Sequence, residues 1–180
     1  MLQADQSVLV IIDVQGKLAT LMQDQEQLYR NLVMLVRGAK ALGVPVICNE
    51  QVPDKLGSTI PELIEALGGD ASPLPKKTFS CCGNPEFMSA FRALGRSQAL
   101  LVGIETHVCV FQTARELKEA GVEVHVAADA VSSRTAGNRA IALDRMRQAG
   151  ITITSTEMAL FEWTRIAEGE AFRQIARLVK

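Results

Sequence analysis

The run Ser7-Val8-Leu9-Val10-Ile11-Ile12, closed by Asp13, is the feature that most narrows what this chain can fold into. It carries no polar alternation, so a strand built from it must have apolar neighbours on both faces, the condition met inside a parallel sheet. It is also too short to cross a bilayer. Similar apolar runs recur at 44–48, 98–102, 122–127 and 151–153, with a weakly marked one at 74–78. Between them lie stretches of helical period at 26–42, 85–94, 106–120 and 138–149, and a short one at Pro61–Leu67 that Gly68-Gly69 ends. Two further helices are expected at 156–163 and 171–179. Strand and helix in this alternation predict an α/β domain three layers deep, with six parallel strands and helices on both faces. No linker, repeat or low-complexity segment interrupts it, so residues 1–180 read as one domain.

Composition narrows the partners. The 180 residues are 48% hydrophobic and 22% charged with a net charge of −1, the profile of a soluble globular protein. No basic run exceeds Lys76-Lys77, which argues against a nucleic-acid partner, and no stretch suits a membrane span. The first residues, Met1-Leu2-Gln3-Ala4-Asp5, lack the features of a secretory signal, and a cytoplasmic location is expected. Cysteines stand at 48, 81, 82 and 109 without a CxxC pair, so reduced thiols are expected rather than a disulfide framework or a zinc ribbon.

Three residues have the chemistry and the placement for catalysis. Asp13 follows the first strand, and ligands of open parallel sheets bind beyond the carboxyl ends of the strands; a loop-capping role is the plain alternative. Cys109 lies in Gly103-Ile104-Glu105-Thr106-His107-Val108-Cys109, a strand end, a Gly turn and the opening of a helix. With Thr106 as N-cap, the sulfur would sit near the positive end of the helix dipole, which lowers a thiol pKa and supplies N–H donors for an oxyanion. A buried structural cysteine is the alternative. Lys76 closes the third strand; a lysine beside a thiol and a carboxylate would favour both anions, whereas Lys76-Lys77 could equally be a solvated pair.

On these residues the chain resembles the isochorismatase-like cysteine hydrolases, a group that includes nicotinamidases and N-carbamoyl amide hydrolases. Three anchors carry the resemblance: Val10-Ile11-Ile12-Asp13-Val14-Gln15, Lys76-Lys77-Thr78-Phe79-Ser80, and Gly103 to Val110. It implies a catalytic triad of Asp13, Lys76 and Cys109, a cis peptide before Glu105, and an oxyanion hole from the N–H groups of Glu105 and Cys109. Gln15, Asn49, Glu50, Phe79 and His107 are expected around the substrate. Nicotinamidases carry an Asp and two His as a metal site after the second strand; here that stretch is Asn49-Glu50-Gln51-Val52-Pro53-Asp54, so neither a metal nor another cofactor is expected. Arg134 is expected in a surface salt bridge, with a reach into the pocket or to a neighbouring subunit as the alternative.

The expected fold is therefore a Rossmann-like αβα sandwich with strand order 3-2-1-4-5-6. The expected reaction is hydrolysis of a C–N bond, amide or carbamoyl, in a small molecule through a thioester on Cys109. A vinyl-ether hydrolase without covalent catalysis and a non-catalytic redox or interaction protein, with Cys81 and Cys82 as its thiols, are the alternatives. Met158, Leu160, Phe161, Trp163, Phe172, Ile175 and Leu178 offer apolar surface for a homo-oligomer, a dimer or tetramer.

Overall fold

The first strand, β1 (Ser7–Ile12), is buried at every residue in the computed structural model of the protein, which describes residues 1–68 and 71–180. Leu9 and Ile11 join one core cluster, Val8, Val10 and Ile12 the other. With apolar partners above and below, the strand has no polar face to present, hence its unbroken apolar sequence. The strands β2 (Val46–Gln51), β3 (Leu74–Lys76), β4 (Gln98–Ile104), β5 (Glu123–Ser132) and β6 (Thr152–Thr154) complete a parallel sheet in the order β3-β2-β1-β4-β5-β6. The expected topology is the one found.

Helices cover both faces. On one side α2 (Gln25–Ala41) lies against the sheet through Leu28, Leu32, Leu35, Val36 and Ala39, flanked by α4 (Pro61–Leu67), α8 (Thr156–Thr164) and α9 (Gly169–Leu178). On the other, α5 (Pro85–Ala93), α6 (Phe111–Glu119) and α7 (Ala136–Gln148) contribute Phe87, Phe91, Ala114, Leu117, Ala142 and Met146. Two single turns, α1 (Gly16–Ala19) and α3 (Pro53–Leu56), follow β1 and β2 at the carboxyl end of the sheet. Each fully buried Leu or Ile is worth about 2 kcal/mol against exposure, so this double layer is what fixes the frame. Among the described residues no helix is long and apolar enough to cross a membrane.

The chain reverses its winding between β1 and β4, and there the two backbones approach closely. Gly103 pairs with Ile12 and has φ +113°; a Cβ on it would stand 2.1 Å from the Ile12 carbonyl oxygen. Only glycine fits. The crevice this junction opens is the place for a ligand in such a sheet.

The second strand is displaced from 44–48 to Val46–Gln51, and four further differences from expectation have a local reason. The third strand stops at Lys76 rather than 78, because the carbonyls of Thr78 and Phe79 turn back to the Lys76 ammonium. The fifth continues to Ser132, past the apolar run, because its pairing with β4 resumes after a register shift between Leu101 and Gly103. The helix expected at 106–120 is split: Thr106–Val110 is a π turn, with Val110 N–H donating to the Glu105 carbonyl, and α6 begins at Phe111. Finally, Leu160, Trp163 and Ile175, expected on an association surface, are buried in the chain's own core, and only Met158 and Phe161 of that set are markedly exposed.

Candidate active site

Asp13 leaves β1 with φ +54°, a left-handed conformation that Asp tolerates better than most residues. Its N–H is held by the Asn49 carbonyl at 3.0 Å, so the carboxylate sits at the junction of β1 and β2. Lys76 reaches it from β3. Register places Lys76 opposite Gln51 on β2, and its side chain passes the end of that strand to bring Nζ within 2.7 Å of Asp13 Oδ2. Gln51 Oε1 at 2.6 Å and the carbonyls of Thr78 and Phe79 at 3.1 and 3.0 Å complete a cage of oxygens around the ammonium. The pair is almost wholly shielded from water, with side-chain exposures of 0% and 2%. Lys77, its neighbour in sequence, points to solvent.

Cys109 comes from the other side of the junction, on the π turn that follows β4. It is buried, and it lines the same cavity as Asp13, whose charge acts on the thiol. Asp13 Oδ1 has no hydrogen-bond partner among the described residues. Burial pushes the Cys109 thiol well above the ordinary range, the Asp13 charge pushes it further, and Lys76 pulls the other way. Burial likewise raises Asp13, with Lys76 opposing. The expectation of a thiol acidified by a helix N-terminus is not met: burial and the Asp13 charge push the Cys109 thiol up instead. Thr106 is not the cap either. Glu105 takes that position, and the Thr106 hydroxyl is buried without a hydrogen-bond partner.

The peptide between Ile104 and Glu105 is cis, and Glu105 N–H has no acceptor among the described residues. These groups border a cavity of about 270 Å³ whose base holds Asp13, Gln51 and Cys109 and whose walls are Leu18, Leu56, Phe79, Ile104 and Val108. Glu105 and Arg134 form its polar edge. The Glu105 carboxylate, 8% exposed, accepts from Arg134 N–H at 3.0 Å and from Arg134 Nε at 3.2 Å on both oxygens. Arg134 therefore does form a salt bridge, but at the pocket and with a buried partner. A larger cleft of about 330 Å³ lies between Tyr29, Arg37, Glu62 and Leu178, away from these groups.

Of the residues expected around the substrate, Phe79 lines the cavity and is exposed. Gln15, Asn49 and Glu50 are instead spent on the backbone around it. Gln15 bonds the Gln51 and Gly57 carbonyls and the Gln51 N–H. Asn49 bonds the Ile11 carbonyl, and Glu50 takes both the N–H and the hydroxyl of Thr59. His107 packs at the side, its Nδ1 3.0 Å from Ser133 Oγ. Gln51, whose place at the carboxyl end of a strand pointed to the pocket, does line the cavity, and so do Leu18, Leu56 and Val108, which no sequence signal singled out. Cys81 and Cys82 do not line the cavity, and burial pushes them up to about 12 and about 11. Among the described residues no group of three or more His, Cys, Asp or Glu side chains is arranged to hold a metal.

This geometry has counterparts among known proteins. The secreted isochorismatase effector Isc1 of Phytophthora sojae is 39% identical over 177 residues, covering 97% of this chain and 84% of that protein. A structure described as the MAR1 ribonuclease of Caenorhabditis elegans superposes with a TM-score of 0.93 at 33% identity, over 99% of this chain and 91% of that one. The YcaC gene product of Escherichia coli, described as an octameric hydrolase of unknown specificity, gives 0.92 at 26% identity over 98% and 88%. The isochorismatase domain matches residues 7–158, which take in Asp13, Lys76 and Cys109. The chain belongs to the isochorismatase family.

Proposed function

We propose that the protein is a cysteine hydrolase, one domain over residues 1–180, that cleaves a C–N bond of a small amide or carbamoyl compound. The observation that carries this reading is the arrangement of Asp13: one oxygen bound to Lys76, the other without a hydrogen-bond partner among the described residues, in the cavity that Cys109 also lines. A carboxylate raised by burial is a stronger base than a solvated one, and a buried thiol needs such a base. Asp13 takes the thiol proton as sulfur attacks the carbonyl carbon. The N–H groups of Glu105 and Cys109 hold the oxyanion, each good donor being worth about 3 kcal/mol. The amine leaves with the proton from Asp13. Asp13 then deprotonates water, which cleaves the thioester and returns the proton to sulfur. Lys76 keeps Asp13 in place throughout.

A cavity of about 270 Å³ suits a compact ligand rather than a polymer. With a net charge of −1, it supports a small-molecule substrate over RNA, the substrate that the nematode relative's description implies for that protein. Four free thiols suit a reducing, cytoplasmic location. The octameric assembly described for the bacterial relative, with Ile141, Met158 and Phe161 exposed here, supports a homo-oligomer. The test is a screen of small amides and carbamoyl compounds with intact-mass detection of an acyl adduct. Wild-type protein should carry the adduct and Cys109→Ala should neither carry it nor turn over. Turnover by Cys109→Ala would overturn covalent catalysis and favour the vinyl-ether reading.

A further inference from the structure

Lys76 and Cys109 come to Asp13 from strands that do not touch. Lys76 ends β3, the three-residue strand at the edge of the sheet, and Cys109 follows β4, with β2 and β1 between them. Outside the sheet, the loop after Lys76 is tied directly to the helix after Cys109. Cys81 N–H donates to Thr113 Oγ1 at 2.9 Å, and the Ser80 hydroxyl donates to Glu116 Oε2 at 2.8 Å. Thr113 is fully buried on α6, four residues past Cys109 and so on the same side of the chain's helical path. The loop itself is closed on its own groups. Thr78 Oγ1 donates to the Ser80 carbonyl, Ser80 Oγ accepts from Cys82 N–H, and Asn84 Nδ2 donates to the Pro75 carbonyl. A Cβ on Gly83 would stand 2.8 Å from Thr78 Cγ2, so the two ends of the loop are packed together.

This loop also supplies the Thr78 and Phe79 carbonyls, two of the four oxygens around the Lys76 ammonium. Pinning Ser80 and Cys81 to α6 therefore fixes the surroundings of Lys76 relative to the segment that carries the thiol. The sheet alone does this poorly. A short edge strand is paired on one side only, and slack there moves Lys76 without moving Cys109. We infer that Ser80, Thr113 and Glu116 are positioning residues for the proposed acyl transfer, which hold the Lys76–Asp13 pair in register with Cys109 by locking the Lys76 loop to α6. None of the three lines the cavity. They act through the Thr78 and Phe79 carbonyls and, beyond these, through Lys76. The two ties differ in setting: Thr113 is sealed in the core, whereas Glu116 is exposed on α6 and can be changed without opening the core. The inference rests on the acyl-transfer reading for what the alignment serves, while the tie itself can be measured at Asp13 without turnover.

Glu116→Ala deletes the acceptor of the Ser80 hydroxyl, and Thr113→Val deletes the acceptor of Cys81 N–H while keeping the side chain's shape. Glu116→Gln and Thr113→Ser keep an acceptor in each place. Two readouts are taken on each protein. One is the infrared C=O band of the protonated Asp13 carboxyl, isolated as the difference from Asp13→Asn protein and followed with pH. The other is kcat/KM for an amide or carbamoyl compound that the wild type turns over. A loosened loop lets the Lys76 ammonium drift from Asp13, so the band should persist to higher pH in Glu116→Ala and in Thr113→Val than in wild type. kcat/KM should fall about tenfold or more, since a displacement of about 1 Å at a reacting group can cost about a hundredfold. Glu116→Gln and Thr113→Ser should restore most of both readouts. Glu116→Ala should add nothing to Ser80→Ala, because one hydrogen bond joins the two residues. Should the buried Thr113→Val fail to fold, Glu116→Ala decides alone. An Asp13 band unmoved in either folded variant, an equal shift in the acceptor-keeping variants, or a Glu116→Ala effect that persists in full on Ser80→Ala would each overturn the inference. A band that shifts as expected in a protein that hydrolyses no amide or carbamoyl compound would uphold the tie and remove the C–N hydrolysis reading instead.

Discussion

Two ion pairs stand at the two ends of one small cavity, and they are built on opposite terms. At the base, Asp13 and Lys76 are both dry and the ammonium is surrounded by four oxygens. At the edge, only the carboxylate of the Glu105–Arg134 pair is buried, and the guanidinium stays half in water with its terminal nitrogens open. The first arrangement leaves nothing for a ligand but fixes a carboxylate in the cavity that Cys109 lines. The second is weaker as a structural contact and available as a binding one. A closed pair suits chemistry that must not vary, and an open pair suits recognition of what comes in.

The contrast is broken most severely at the base. Lys76→Met keeps the length of the side chain but strands a buried carboxylate. Loss of one partner from such a pair costs about 3–5 kcal/mol, to be read as the shift of the urea midpoint at constant slope, and turnover should vanish. Asp13→Asn added to Lys76→Met should recover much of the stability and none of the activity. If Lys76→Met alone is as stable as wild type, the pair is not what holds the strand ends together.

Acidity sharpens the same comparison. Burial raises Asp13 above its ordinary value of 3.8, so kcat/KM, which needs the carboxylate, should fall with acid at a pH above the usual carboxylate range. The effect on folding has the opposite sign. A carboxyl whose pKa is higher in the folded state binds its proton more tightly there, so its contribution to stability is complete below 3.8 and lost as pH rises through the folded value. Removing the Lys76 charge should move the Asp13 titration higher still, visible as a carboxylic-acid C=O band in the infrared spectrum that persists to higher pH in Lys76→Met than in wild type. A titration that moves downward would mean that Lys76 does not support the carboxylate.

The edge should give the smallest response. Glu105→Gln keeps an acceptor for Arg134 N–H while removing the charge. With Arg134 half exposed, the loss of stability should be below about 1 kcal/mol. A loss as large as that of Lys76→Met would erase the distinction between the two pairs.

The parts of this design differ in how openly the sequence announces them. The strand order, the double-sided burial of β1 and the boundaries of α4 follow from apolar runs and from Pro and Gly punctuation, which are local signals. Asp13, Lys76 and Cys109 are visible because each ends or follows such a run. The π turn is not, since a period taken over a whole helix cannot register a single i→i+5 bond. Gln15, Asn49 and Glu50 stand at the right ends of strands but serve backbone groups, and position alone does not tell a ligand-facing amide from one that ties a loop. The apolar C-terminal residues were legible as apolar, yet whether they meet a second copy or α2 depends on where α8 and α9 return. Arg134 needed the buried Glu105 carboxylate, 29 positions away, to become more than a surface charge.

The path of Lys76 past the end of β2 also sets when the protein can first act during folding. Its ammonium meets a carboxylate 63 positions earlier in the chain, and the thiol arrives from β4, beyond the far side of β1. Contacts so distant along the chain form late, after local helices and neighbouring strands have had time to appear. A refolding molecule that has α2 and the β1–β2 pair in place owns Asp13 but neither of the groups that make it useful. Until the sheet closes, the Cys109 thiol is an ordinary exposed cysteine, without the carboxylate and the cavity that the folded chain sets beside it.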